Sequence, residues 1–128
     1  MARQRMLEKV AFTMYPVDDP ERARAFYETK LGLVRGSSAP NGDWTEYDLP
    51  GGGCLALFRG SLTGLKPSAS AGSIAFEVAD LDALNARLEA EGVTFSAKMI
   101  HSPVCRMSVI LDSEGNSIIL HQLKRREP

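Results

Sequence analysis

One pattern occurs twice in this sequence, and the repeat constrains the fold more than any other feature. Residues 12–33 and 73–93 align, with identical residues 61 positions apart at Val17/Val78, Asp19/Asp80, Ala25/Ala86 and Glu28/Glu89. Gly32 and Gly92 follow at nearly the same offset. Two copies of about 60 residues are too few for a solenoid. The repeat therefore predicts two half-domains that pair to complete one core.

Each copy is predicted to open with a strand and a helix. Residues 9–17 alternate like a strand with apolar groups on both faces, so we expect this strand to be covered on both sides. Asp19 suits the N-cap of the following helix, Pro20 suits its first position, and Gly32 suits its end. In the second copy Asp80 is the predicted cap. Leu81, Leu84 and Leu88 form the predicted buried stripe of that helix.

Three further strands are predicted to complete each copy. In the first copy they lie within 33–43, 44–49 and 54–58, and in the second near 93–97, 106–111 and 117–123. Gly, Ser, Ala and Pro dominate residues 60–72, the predicted linker. The expected fold class is α+β within a single domain, residues 1–128, with module 1 at about 8–60 and module 2 at about 73–124.

The charge and cysteine content exclude several classes of protein. A net charge of −1 gives no field that would attract nucleic acid, and no apolar run is long enough to span a membrane. Residues 1–9 are polar and unlike a signal peptide. Cys54 and Cys105 are not in a CxxC motif. We therefore expect a cytoplasmic protein with free thiols.

The motifs resemble those of a known family. Val17, Asp19, Phe26-Tyr27 and Leu31-Gly32 resemble the opening of a vicinal oxygen chelate module. The turn at 112–116 (DSEGN) resembles the Asp-Pro-Asp-Gly-Asn turn before the last strand of that family. The resemblance, to glyoxalase and bleomycin-resistance-like proteins, implies two βαβββ modules whose concave sheets surround a small-molecule cleft. It also implies a homodimer, with modules that pair within one chain or between chains.

Relatives that use a metal supply ligands from four positions, two in each module. In this sequence the resemblance places those positions at Phe12, Ala56, Ser73 and Ile119. A divalent ion needs imidazole or carboxylate donors, and hydrocarbon in their place makes a bound ion prohibitively costly. We therefore predict no metal site and no cofactor, and a largely apolar pocket instead.

Strand alternation predicts which residues line that pocket. The candidate ligand-binding residues are Phe12, Met14, Trp44, Ala56, Phe58, Ser73, Arg106, Ile119 and His121. For the aromatic residues the alternative is core packing, for Arg106 a surface ion pair, and for His121 a satisfied hydrogen bond at the cleft rim or a dimer interface.

The candidate catalytic residues are His121, Glu77, Glu46 and Cys105, as acid/base groups or a nucleophile. Three functional hypotheses follow. The first is a metal-free small-molecule binding protein, the second an enzyme with a displaced metal site or acid/base chemistry, and the third a structural dimer partner.

Overall fold

The computed structural model describes residues 6, 8–70 and 73–124. It contains eight strands and two α-helices, in two successive βαβββ units. The first unit comprises β1 (Thr13–Val17), α1 (Pro20–Ala25), β2 (Arg35–Ser38), β3 (Trp44–Asp48) and β4 (Cys54–Arg59). The second comprises β5 (Ile74–Glu77), α2 (Leu81–Ala90), β6 (Phe95–His101), β7 (Cys105–Leu111) and β8 (Ser117–Leu123). The predicted α+β class and the tandem βαβββ order are confirmed.

The two sheets have equivalent topologies. Their strand orders are β1-β4-β3-β2 and β5-β8-β7-β6, so the first strand of each unit pairs in parallel with the last. The remaining pairs are antiparallel. This equivalence is the structural counterpart of the repeat in the sequence.

Helix caps form as the sequence predicts. The Asp19 side chain accepts a hydrogen bond from Arg22 N, and Asp80 accepts one from Ala83 N. Gly32 and Gly92 have φ values of +70° and +81°, a left-handed conformation that glycine adopts at no steric cost. The first helix differs from prediction, because it changes after Ala25 into a π-helical segment, Phe26–Lys30.

A single core joins the helix-side faces of both sheets. Tyr15, Val17, Leu55 and Leu57 of the first sheet belong to the same buried cluster as Ile110, Ile118 and Leu120 of the second, together with residues of both helices. The Tyr15 hydroxyl donates to Ser117 O, and the Tyr27 hydroxyl donates to Asp112. The opposite faces of the two sheets therefore point away from this core.

Several sequence-based boundaries are corrected. Residues 9–12 are not part of β1, and Phe12 is 46% exposed, so the first strand is not covered on both sides along its predicted length. The strand predicted near 93–97 continues to His101, which ends β6 opposite Arg106. The strand extends this far because two register shifts in the β6–β7 pair, with Met99 at φ +86°, accommodate the extra residues. Within the described residues, no helix has the length and apolar character needed to cross a membrane.

Candidate functional site

Aromatic side chains gather on the outward face of the first sheet. Cross-strand pairing brings Met14, Ala56 and Glu46 side by side, and Phe58 beside Trp44. The Phe12 ring meets Trp44 edge-on at 5.3 Å between centroids, and Trp44 meets Phe58 at 6.0 Å. We call this surface the aromatic face, which comprises Phe12, Met14, Trp44, Glu46, Cys54, Ala56 and Phe58. Strand alternation explains it, because Tyr15, Leu55 and Leu57 turn to the core.

Glu46 is the charged group at the centre of the aromatic face. Its carboxylate accepts a hydrogen bond from Trp44 Nε1 at 2.7 Å and lies 3.8 Å from the thiol of Cys54. Burial raises the pKa of the Cys54 thiol, and the negative charges of Glu46 and Asp48 raise it further. The thiol is therefore held in its neutral form, which opposes a role for Cys54 as a nucleophile at neutral pH.

A second surface lies on the outward face of the other sheet. Pairing between β5, β8 and β7 places Ala75 beside Ile119 and Val109, and Glu77 beside His121 and Met107. Ser73 lies at the start of this face, where its hydroxyl donates to Ser117. We call this surface the histidine face, which comprises Ser73, Ala75, Glu77, Met107, Val109, Ile119 and His121.

His121 and Glu77 form a pair on the histidine face. The Nδ1 atom of His121 lies 2.6 Å from Glu77 Oε1, and the other Glu77 oxygen accepts a hydrogen bond from Leu123 N at 2.9 Å. The pKa of Glu77 lies below its ordinary value. The hydrogen bond from Leu123 N is the larger cause, and the contact with His121 is the smaller one. The ionised carboxylate orients the imidazole and leaves Nε2 as the nitrogen available to a ligand.

The donor set does not fit the metal that the resemblance implies. Phe12 and Ala56 lie on the aromatic face and offer only hydrocarbon, as does Ile119 on the histidine face. Ser73 offers one hydroxyl, which is already bonded to Ser117. Across the described part of the chain, no three His, Cys, Asp or Glu side chains come together as a metal site would require.

Two predicted site residues lie elsewhere. Arg106 is on the helix side of β7, where it forms an ion pair with Asp82 at 3.1 Å and donates to Gln122. Arg106 therefore forms the surface ion pair that was its alternative role. It points to the helix side because it shares strand parity with the core residues Ser108 and Ile110. Cys105 is buried beside the Ser102 hydroxyl, with the two side chains 3.1 Å apart. Cys105 forms no hydrogen bond with His121 or Arg106, the two cationic side chains among the candidate residues.

The structure adds residues that the sequence did not single out. Cys54, Met107, Val109 and Ile100 extend the two outward faces, and Ile100 is 41% exposed. Alternation alone would have placed Met107 and Val109 on one face, but only the β7–β8 pairing reveals that this face is also that of His121.

Comparison with known proteins identifies a family match. The family model of the Glyoxalase/Bleomycin resistance protein/Dioxygenase superfamily matches residues 9–120. No curated protein matches the sequence significantly.

Among solved structures, the chain is similar to a member of that superfamily from Sphaerobacter thermophilus DSM 20745. The identity is 28%, with 91% of this chain and 98% of that chain covered and a TM-score of 0.77. TnmS3, an antibiotic binding protein from Streptomyces sp. CB03234, is 25% identical, with 94% and 100% covered and a TM-score of 0.73. Lactoylglutathione lyase from Agrobacterium tumefaciens shares the fold at 21% identity, with 92% and 96% covered and a TM-score of 0.74.

Proposed function

The chain belongs to the Glyoxalase/Bleomycin resistance protein/Dioxygenase superfamily, and we propose that within it the protein binds a small, partly apolar organic molecule without a metal ion. The observation that carries this proposal is the aromatic face. Three aromatic rings, Met14 and Ala56 surround one carboxylate there, and hydrocarbon occupies three of the four positions that the resemblance assigns to metal donors. Such a mostly apolar surface with few polar groups is typical of small-molecule sites.

The similarity to TnmS3 supports binding rather than turnover. TnmS3 is an antibiotic binding protein, and the match covers 94% of this chain and 100% of TnmS3. The similarity to a lactoylglutathione lyase concerns the fold alone and does not support that activity.

We further propose that a second copy of the chain completes the cleft. Because the helix-side faces of both sheets share one core, the aromatic face and the histidine face point outward and retain exposed apolar groups such as Phe12 and Ile100. Pairing the aromatic face of one copy with the histidine face of another would enclose a ligand on two sides. A two-fold axis would create two such clefts in a homodimer.

Metal content and ligand binding together test the proposed function. We expect purified protein to contain no stoichiometric Ni, Zn, Mn or Fe by elemental analysis. Trp44 is the only tryptophan, so its fluorescence should report on small aromatic molecules that enter the cleft. Stoichiometric metal, together with an activity lost on chelation, would contradict the proposal.

The His121–Glu77 pair favours one alternative, a metal-independent enzyme. A carboxylate-oriented imidazole is a common general base. In that case His121→Ala should abolish turnover of a substrate while leaving folding intact, and Glu77→Gln should reduce it less. If His121→Ala binds ligands as the wild type does and no turnover is found, the pair has no catalytic role.

A further inference from the structure

We propose that the ligand of the aromatic face is an organic cation, an ammonium group carried close to an aromatic or aliphatic ring. This inference rests on the proposed binding function and names the chemical class of the ligand. It is drawn from the composition of the face, the central position of the Glu46 carboxylate and the lack of an ion-pair partner for Glu46 among the described residues.

The rings provide the first half of the argument. Phe12, Trp44 and Phe58 form a continuous aromatic wall, in which neighbouring rings pack edge-to-face at interplanar angles of 88° and 65°. The negatively polarised face of an aromatic ring attracts ammonium groups, which is why such groups are commonly bound within aromatic cages. Phe12 is 46% exposed and so remains open to a ligand.

The charge of Glu46 provides the second half. Glu46 receives hydrogen bonds only from neutral groups, the indole N–H of Trp44 and the thiol of Cys54. Strands β1, β3 and β4 place no lysine or arginine on this face, because Arg59 shares strand parity with Leu55 and Leu57 and pairs with Asp43. Among the described residues, Glu46 therefore forms no ion pair.

A half-buried carboxylate on an apolar surface loses hydration, and a bound cation would restore its electrostatic stabilisation. The pKa of the Cys54 thiol reflects the same negative electrostatic field around Glu46. Burial raises its pKa, and the neighbouring carboxylates raise it further by favouring retention of a proton. The field that retains this proton would equally favour an ammonium group.

Three probes of equal ring size and different charge test the proposal: benzyltrimethylammonium, benzyl alcohol and benzoate. Each would be titrated against the full chain, with Trp44 fluorescence excited at wavelengths that the probes do not absorb. We expect the cation to bind about tenfold or more tightly than the alcohol, and benzoate to bind most weakly.

Glu46→Gln should reduce affinity for the cation by about tenfold and leave affinity for the alcohol nearly unchanged. Glu21→Gln is the matched control, since it removes the same charge from an exposed position on α1 and should have no effect. Phe12→Leu keeps apolar area but removes a ring, so it should weaken binding of the cation more than binding of the alcohol. Circular dichroism of each variant would verify folding.

The outcomes separate the two proposals. If the alcohol binds as tightly as the cation, or if Glu46→Gln changes both equally, the cation inference fails while small-molecule binding stands. Tightest binding of benzoate would also overturn it. If no probe alters the fluorescence of Trp44, both the cation inference and the proposed binding site are contradicted.

Discussion

At the scale of single residues, the proposal of a metal-free site depends on four side chains. Phe12, Ala56 and Ile119 contribute hydrocarbon, and Ser73 contributes a hydroxyl that is already bonded to Ser117. Without donors, the free energy of dehydrating a divalent ion would have no compensation. Hydrocarbon at such positions is typical of sites for organic molecules.

The first prediction restores those donors. In the quadruple variant Phe12→His, Ala56→Glu, Ser73→His and Ile119→Glu, we expect one Zn²⁺ or Ni²⁺ to bind per site, because imidazole and carboxylate would then converge there. Isothermal titration with the metal would measure the gain, and the wild type titrated in parallel is the control. Failure of a well-folded variant to take up metal would show that these four positions do not converge.

At the scale of structural elements, the turn at 112–116 joins the two modules. The Glu114 carboxylate accepts hydrogen bonds from Asp18 N and Asp19 N at 3.0 and 2.9 Å, and it pairs with Arg22 at 2.7 Å. Burial alone would raise the pKa of Glu114, but these donors and the Ser113 hydroxyl outweigh it and lower the pKa to about 2. One side chain of module 2 thus accepts hydrogen bonds from the backbone N–H groups at the start of the helix in module 1.

The second prediction concerns Glu114→Gln. Replacing the carboxylate should lower the free energy of unfolding at neutral pH by about 1.5–3 kcal/mol, the range for hydrogen bonds to a charged group. Because the folded pKa of about 2 lies below the ordinary 4.5, this stabilisation is complete above about pH 4.5 and is lost as the pH falls towards 2.

The difference between wild type and Glu114→Gln should therefore shrink through that acid range. Urea unfolding at a series of pH values would measure this difference. Glu21→Gln, in the first turn of α1, is the control variant. A difference that stays constant from pH 7 to about pH 2 would refute the proposed linkage.

At the scale of the whole molecule, the core determines which faces of the two sheets point outward. The two helices meet at their C-terminal ends. Lys30 at the end of the first helix contacts Glu91 at the end of the second at 3.3 Å, and its carbonyl accepts from Arg87. The helices cover one face of each sheet, and the outward faces carry exposed side chains such as Phe12 and Ile100. In the proposed homodimer, a second copy would close the cleft.

The third prediction tests this assembly by mixing variants. Met14→Asp damages the aromatic face, and Ile119→Asp damages the histidine face, so neither homodimer should bind the aromatic probe. In a mixed dimer, one cleft carries both defects and the other carries none.

Co-refolding equal amounts should therefore restore about a quarter of the sites, since roughly half of the dimers are mixed and each has one intact cleft. Sites built within one chain would give no recovery. The control is Met14→Asp refolded alone, with molar mass measured by light scattering.

The sequence by itself determined the repeat, the helix caps at Asp19 and Asp80, the glycine ends of both helices and the alternation of each strand. These features are local, because they depend on backbone conformation and on side chains a few residues apart. Alternation was sufficient to place Phe12 and Met14 on one face and Ser73, Glu77, Ile119 and His121 on faces turned from the helices. It could not exclude Arg106, because only the β7–β8 pairing shows which face of β7 is that of His121.

Only the tertiary structure decided which faces and side chains meet. The contact of Glu46 with Trp44, the pairing of His121 with Glu77 across 44 residues and the clamp of Glu114 on the first helix depend on how strands pair and how modules dock. The docking of the modules depends on long-range packing of side chains. The local sequence patterns are the same whether the two half-domains pair within one chain or between two chains. The shared core settles the orientation of the modules, because burying both helix-side faces together leaves the aromatic face and the histidine face outside.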